Sequence, residues 1–99
     1  MDKIVIFGAS GGAVKVAKTL KNLGMDFLCF VDNDKNKWGT TVEGKLVDSP
    51  ERLCREKCRI LIASDYQSEI EGQLSAMGLR QFCLQNLSGE STSFPSTVV

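Results

Sequence analysis

The chain has 99 residues, 42% of them hydrophobic, and its 12 basic and 12 acidic residues balance to zero net charge. This length predicts one domain with a modest core, and the balanced charge argues against a nucleic-acid partner or a membrane surface, since binders of either kind usually carry a basic bias. No apolar run is long enough to span a membrane, and the start is not a signal peptide, so we expect a cytoplasmic protein.

The first element is an apolar strand that ends in a glycine-rich turn. The β-branched run at residues 4–7 predicts a strand buried on both faces. Gly8, Gly11 and Gly12 then allow a tight turn into a helix. The first N–H groups of a helix lack internal partners and favour an anion, so a phosphate site is the first hypothesis for this turn. The alternative is a tight turn that binds nothing.

The next segments complete a strand–helix–strand unit. Apolar residues at helical spacing predict a helix, and these are Ala13, Val16, Ala17 and Leu20. Gly24 is placed to end that helix. The apolar run at residues 27–31 predicts a second strand, which ends in Asp-Asn-Asp at residues 32–34. We therefore expect a right-handed βαβ unit with parallel strands.

A polar segment follows at residues 35–44 and predicts a loop. Within it, Trp38 is either a plug that packs on the adjacent strand edge or a platform for a ligand. Residues 45–47 predict a short edge strand. Ser49 and Pro50 predict the start of a short helix that runs to about residue 57.

The last predicted elements are two strands with a helix between them. Residues 59–63 predict a buried strand, and residues 81–85 predict the final one. Ser68 and Glu71 have the spacing of a capping box at the start of a third helix, which Gly78 ends.

The elements together predict an α/β fold. We expect a Rossmann-like three-layer α/β/α arrangement around a five-stranded parallel sheet, with the strands in the order 3-2-1-4-5. Residues 1–86 would form one nucleotide-binding domain. Residues 87–99, rich in Ser and Thr, would form a flexible C-terminal tail.

The cysteines do not predict a metal site. Cys29 and Cys83 lie inside strand-like runs, where thiols usually behave as small buried apolar groups. Cys54 and Cys58 are four residues apart, but the chain has no histidine to complete a ligand set with them. We expect no bound metal.

The predicted fold places a ligand site where the strand order reverses. Ligands of open parallel sheets bind there, beyond the carboxyl ends of the strands, and the loops at residues 8–13, 32–34 and 64–66 converge on that point. Asp32 follows Gly8 at about the spacing that dinucleotide folds keep between the glycine motif and the ribose-binding acid. We expect Asp32 to contact a hydroxyl or a base; the alternative is a solvated turn residue.

The glycine loop departs from the standard motifs. Against G-x-G-x-x-G, Ser10 replaces the second glycine and Ala13 the third. Against G-x-x-G-x-x-G, Gly8 and Gly11 match but Val14 does not. The second glycine of the first motif lets the backbone approach a pyrophosphate, so Ser10 makes that contact less easy.

Several phrases of the sequence are distinctive. They are residues 3–13, Phe-Val-Asp-Asn-Asp at 30–34, Lys-Trp-Gly at 37–39 and Ile-Leu-Ile-Ala-Ser at 60–64. Through them the chain resembles, over residues 3–86, the Rossmann-like nucleotide-binding module of bacterial cell-surface polysaccharide biosynthesis proteins. That module is similar to the N-terminal domain of sugar-nucleotide acetyltransferases of the left-handed β-helix type.

The resemblance implies a nucleotide-sugar site. The glycine loop would hold the phosphates, and Asp32 with Asn33 would hold the base or ribose. With the third loop added, the predicted nucleotide-binding residues are Gly8, Ala9, Ser10, Gly11, Gly12, Asp32, Asn33 and Ser64. The family loop often reads G-A-G-G-H-G, from which Ser10, Gly12 and Ala13 depart. The β-helix repeats that carry acetyl transfer are absent from this sequence.

No catalytic residues are predicted. The only tyrosine, Tyr66, is followed four residues later by Ile70 rather than by the lysine that a short-chain dehydrogenase needs. Without histidine, no pair of groups is marked out for acid–base work, so we do not expect an enzyme on its own.

Two functions stay open. The first is a nucleotide-binding module for a nucleotide sugar or a dinucleotide such as NAD, with NAD favoured over NADP because Asp32 would repel a 2′-phosphate. The second is a degenerate Rossmann interaction module without a ligand. It would dock on a partner transferase or form a homodimer through the edge strand at residues 45–47.

Overall fold

The computed structural model describes residues 3–79 and the backbone of residues 82–84. Within this part of the chain the strands and α-helices are β1 (Lys3–Phe7), α1 (Gly11–Asn22), β2 (Cys29–Val31), β3 (Thr41–Val42), β4 (Lys45–Asp48), β5 (Cys58–Ile62), α2 (Gln67–Ala76) and β6 (Phe82–Leu84). Short 3-10 helices at Lys35–Lys37 and Pro50–Cys54 lie in the connections. The predicted tail at residues 87–99 lies outside the described residues.

The strands form one sheet in the order β3-β4-β2-β1-β5-β6. From β4 to β6 the strands are parallel and keep the predicted order, but the prediction of a wholly parallel sheet is wrong at one edge, where β3 pairs antiparallel with β4. Glu43 and Gly44 have φ angles of 50° and 78°, as a tight two-residue hairpin turn requires. Because β3 occupies the outer side of β4, residues 45–47 are not the free edge predicted for homodimer pairing.

The core has two halves, one on each face of the sheet, because successive side chains of a strand point to opposite faces. On one face α1 packs against the sheet, and this half contains Ile6, Ala13, Val16, Ala17, Leu20, Phe27, Phe30, Val47, Leu61 and Ala63. The other half brings α2 and the second 3-10 helix against the sheet, through Val5, Phe7, Val31, Leu53, Ile60, Ile62, Ile70 and Leu74. These halves form the expected three layers.

Two predicted helices differ from the structure, the first in its type and its end and the second in its start. The segment that begins at Ser49 is a 3-10 helix, which ends at Cys54 rather than near residue 57. In α2 the N-cap is Tyr66, without a side-chain cap bond, so the predicted capping box does not form. The Ser64 hydroxyl accepts a hydrogen bond from the Tyr66 amide at 3.2 Å, and this local turn starts the helix before Ser68. No helix in the described residues is long and apolar enough to cross a membrane.

Candidate functional site

A cleft of about 380 Å³ opens at the carboxyl ends of β1, β2 and β5. The strand order reverses here, and open α/β sheets bind ligands at such points. Its lining residues are Phe7, Gly8, Asp32, Asn33, Asp34, Ser64, Tyr66, Glu69 and Ile70. Four of the predicted site residues therefore meet in one cleft, namely Gly8, Asp32, Asn33 and Ser64.

Gly8 holds the floor of the cleft in a conformation that suits only glycine. Its φ angle is +122°, and a Cβ atom at this position would lie 2.5 Å from the Ala63 carbonyl oxygen. The Gly8 amide donates a hydrogen bond to the Val31 carbonyl at 2.7 Å. Gly8 therefore joins the ends of the three neighbouring strands at the point where the cleft begins.

Asp32 connects the glycine loop to the loop after β2. Its Oδ2 atom accepts a hydrogen bond from the Ala9 amide at 2.9 Å, and its Oδ1 atom accepts one from the Asp34 amide at 2.8 Å. The Lys37 ammonium lies 3.8 Å from Oδ2, and the Asp32 side chain is only 16% exposed. The Asp32 side chain is therefore engaged within the protein, in part through a turn of its own loop, and its contact with a ligand stays a prediction. Each carboxylate oxygen keeps a further lone pair for a ligand hydroxyl.

Trp38 anchors the backbone of this same loop. The indole N–H donates a hydrogen bond to the Asp32 carbonyl at 2.7 Å. Trp38 is about one-third exposed and is not among the residues that line the cleft. The Trp38 side chain therefore binds the backbone at the end of β2 and does not form a surface for a ligand inside the cleft.

The glycine loop leads from the cleft to the N-terminus of α1. Ser10 is the N-cap residue, but its hydroxyl makes no cap hydrogen bond, and the first turn of α1 contains no acidic residue. A Cβ atom on Gly11 would meet nothing within 4 Å. The predicted residues Ala9, Ser10, Gly11 and Gly12 do not line the cleft. They lie beside it, where the unpartnered first amides of α1 favour an anion.

Asn33 joins the loop after β2 to α2 across the cleft. Its Nδ2 atom donates to the Gln73 Oε1 atom at 2.9 Å, and the Gln73 Nε2 atom donates back to the Asn33 Oδ1 atom at 2.9 Å. Sequence reasoning missed Gln73, together with Glu69 on the same helix. The signal was available, because residues 69, 70 and 73 share one helical face and Ile70 marks that face as inward.

The electrostatic character of the cleft is acidic. Asp32, Asp34 and Glu69 place three carboxylates in its lining, which contains no lysine or arginine among the residues that the structure describes. Lys37, paired with Asp32, is the basic group next to them. Phosphate groups are repelled by this lining, whereas hydroxyl and amino groups of a ligand find acceptors there.

A second cleft of about 400 Å³ lies between the end of α1 and the β3–β4 hairpin. Lys18, Lys21 and Lys45 contribute basic groups to its lining. Lys45 is already paired with Asp26 at 2.9 Å. This cleft lies away from the strand ends that bind ligands in such folds, so we place the candidate site in the first cleft.

The described residues contain no group of three or more His, Cys, Asp or Glu side chains arranged to hold a metal ion. Cys29 and Cys58 are buried and Cys54 is exposed. Burial raises the pKa of the Cys29 thiol, which keeps it protonated and unreactive at neutral pH. The side chain of Cys83 lies outside the part that the structure describes.

Solved structures with the same fold include enzymes and repressors. UDP-D-quinovosamine 4-dehydrogenase from Vibrio fischeri is 27% identical with a TM-score of 0.66, and the match covers 88% of this chain and 80% of that one. RSP, a Rex-family repressor, in complex with β-NADH is 15% identical with a TM-score of 0.67, over 100% of this chain and 52% of that one. RSP in complex with β-NAD⁺ and operator DNA matches at 15% identity with a TM-score of 0.64, over 98% and 48%.

The repressor structures share the fold alone at this level of identity, and the chain spans about half of their length. No curated protein sequence matches the chain. Residues 1–82 match the model of the family described as C2185-like, N-terminal. That match includes all three loops that meet at the candidate site.

Proposed function

This chain belongs to the C2185-like N-terminal family, and we propose that it is a nucleotide-binding module, which holds a nucleotide sugar or a dinucleotide. The observation that carries the proposal is the position of the cleft at the strand-order reversal, next to the uncapped start of α1. Asp32 links the two places through its hydrogen bond to the glycine loop. A nucleotide needs this combination, because its nucleoside and its phosphates differ in charge and polarity.

The nucleoside would occupy the cleft and the phosphates would lie at the start of α1. Ligand pockets usually measure about 300–1,000 Å³, and the cleft of about 380 Å³ is large enough for one nucleoside. Its carboxylates disfavour phosphates. The amides of Ser10, Gly11 and Gly12 face no acidic residue in the first helical turn, so negative charge is favoured there.

The module would serve bacterial surface-polysaccharide or sugar-nucleotide metabolism. The 27% identity to a dehydrogenase whose name includes a UDP-sugar supports this context, as does the resemblance to the nucleotide-sugar modules described above. Catalysis would come from a partner enzyme such as a transferase, since the sequence contains no histidine and marks out no pair of groups for acid–base work. Nucleic acid is not part of the proposal, because the lining of the cleft is acidic.

Amide NMR shift mapping of the full chain with NAD, NADP and UDP-N-acetylglucosamine tests the proposal. We expect at least one ligand to move the amide signals of residues 8–12, 32–34 and 64. A Gly11→Asp variant should lose this response, because it places a carboxylate where the phosphates would lie, while a helix N-terminus tolerates acidic residues well.

Asn22→Asp is the matched control, with the same charge change at the other end of α1. It should keep the response. If no ligand moves the signals of the glycine loop, or if Gly11→Asp responds as the original chain does, the proposal is wrong.

A further inference from the structure

Tyr66 is the large apolar side chain that the first cleft leaves uncovered. Its exposed fraction is 65%, whereas the other apolar side chains of the lining, Phe7 and Ile70, are buried. Single exposed apolar residues are common on protein surfaces, but Tyr66 lines a concave site. Among the described residues its ring contacts neither another ring nor a cation. The ring can therefore be covered by a ligand in the cleft.

The backbone that carries this ring is fixed at its donor and at its acceptor. The Tyr66 amide donates to the Ser64 hydroxyl at 3.2 Å, and the Tyr66 carbonyl accepts a hydrogen bond from the Ile70 amide at 3.0 Å. Only the side chain has to be ordered when a ligand binds. Because a tyrosine side chain has two χ angles, this ordering costs little conformational entropy.

The helix that follows Tyr66 is tied to the opposite side of the cleft. Asn33, in the loop after β2, and Gln73, on α2, exchange two hydrogen bonds of 2.9 Å. This pair joins the two walls. A group that enters the cleft therefore lies between the loop after β2 and the start of α2, where Tyr66 is the N-cap residue.

The order of the groups in a nucleotide directs its base into this space. In the proposed binding mode the phosphates lie at the start of α1. Asp32 lines the cleft and accepts a hydrogen bond from the Ala9 amide at 2.9 Å, so it joins the glycine loop to the cleft. A ribose at Asp32 would place the base on the side away from the phosphates. The base then enters the cleft, one wall of which contains Tyr66.

We infer that the base of the bound nucleotide stacks on the ring of Tyr66. A stacked base covers the apolar face of the phenol ring. Every nucleobase has a π face, so this contact does not depend on the donors and acceptors at the edge of the base, and it accepts uracil as well as adenine. The inference rests on the proposed nucleotide function and adds the side chain that holds the base.

NMR of the full chain with ADP and with UDP-N-acetylglucosamine tests the inference. Tyr66 is the only tyrosine in the sequence, so its ring protons form one identifiable set of signals. We expect NOEs from these protons to the protons of adenine or uracil. The base protons should also shift upfield on binding, because protons above an aromatic ring are shielded. The second ligand also carries a sugar, so it distinguishes stacking of the base from stacking of the sugar.

Two variants separate the ring of Tyr66 from its hydroxyl group. Tyr66→Ala should weaken binding about tenfold in calorimetry, within the range found for the loss of one base–aromatic stack. Tyr66→Phe keeps the ring and should bind within about twofold of the original chain. Leu23→Ala is the matched control, because Leu23 is 67% exposed but lies at the end of α1, away from the cleft. It should leave the affinity unchanged.

The outcomes separate this inference from the proposed function. If a ligand moves the amide signals of the glycine loop while the Tyr66 ring shows NOEs only to sugar protons, or to no ligand proton, the inference is wrong and nucleotide binding stands. Unchanged affinity in Tyr66→Ala also overturns it. An equal loss in Tyr66→Phe and Tyr66→Ala does so too, because the hydroxyl would then make the contact. If neither ligand binds, the proposed function fails, and the inference with it.

Discussion

Replacement of Gly8 by alanine tests the close contact between the Gly8 and Ala63 backbones. The residue has a φ angle of +122°, and a Cβ atom would lie 2.5 Å from the Ala63 carbonyl oxygen and 3.2 Å from its carbon. These obstacles are backbone atoms and cannot rotate away as a side chain would. The Ala63 amide is itself hydrogen-bonded to the Phe7 carbonyl at 2.9 Å, so the strand ends cannot easily separate.

The expected cost of Gly8→Ala has two parts. A non-glycine residue in a sparsely populated backbone region costs about 1–3 kcal/mol. Overpacking against a fixed neighbour costs about 1–3 kcal/mol more. We therefore expect the free energy of unfolding to fall by about 2–6 kcal/mol, a large share of the roughly 5–15 kcal/mol that stabilises a domain.

Urea unfolding followed by circular dichroism measures this loss as a lower midpoint with an unchanged slope. Gly11→Ala is the matched control, because a Cβ atom there meets nothing within 4 Å. It should change stability by between zero and a gain of about 1 kcal/mol, since alanine suits a helix better than glycine. A loss below about 1 kcal/mol for Gly8→Ala would refute the reasoning from backbone contact.

Three further predictions concern the hairpin, an ion pair and the ligand. Glu43→Asn should raise the free energy of unfolding by about 1 kcal/mol, because Glu43 has a φ of 50° that asparagine tolerates better; unchanged urea stability would contradict this. The hydrogen bond from the Ser49 amide, and then the Arg52 guanidinium, lower the pKa of Asp48 below its ordinary value of 3.8. The ionised Asp48 carboxylate therefore stabilises the folded state fully above pH 3.8, and this contribution is lost as the pH falls through the lowered pKa. Between neutral and acid pH, the Asp48→Asn variant should lose about 0.5–1 kcal/mol less of its free energy of unfolding than the original chain. If both proteins lose the same amount, this prediction is wrong. NAD should bind about tenfold more tightly than NADP, because the Asp32 carboxylate repels a ribose 2′-phosphate. Asp32→Asn should narrow this ratio of affinities in calorimetry. A preference of the original chain for NADP would exclude this role of Asp32.

Local patterns in the sequence were sufficient for most of the fold. The buried runs at residues 4–7, 27–31 and 59–63 and the helical spacing from Ala13 to Leu20 reflect periodicity, which depends on near neighbours in the chain. The reversal of strand order followed from the parallel units and correctly placed Gly8, Asp32 and Ser64 around one cleft.

The remaining features depend on contacts between distant residues. Nothing local to Asn33 indicates that Gln73, 40 residues later, satisfies its amide. The strand β3 has only two residues, Thr41–Val42, too few for an alternating pattern, and it forms because a Glu-Gly turn folds it onto β4. The start of α2 was misplaced because a turn at Ser64 takes precedence over the Ser68–Glu71 motif.

The position of Trp38 gives the protein an intrinsic spectroscopic reporter. The sequence contains one tryptophan, so its fluorescence comes from a single environment. Its indole N–H donates to the Asp32 carbonyl at 2.7 Å, within the loop at residues 32–34 that lines the cleft. Displacement of that loop should change both the emission maximum and the access of a quencher such as iodide. Occupancy of the cleft can therefore be followed optically in the unlabelled protein, at low concentration and on the timescale of mixing.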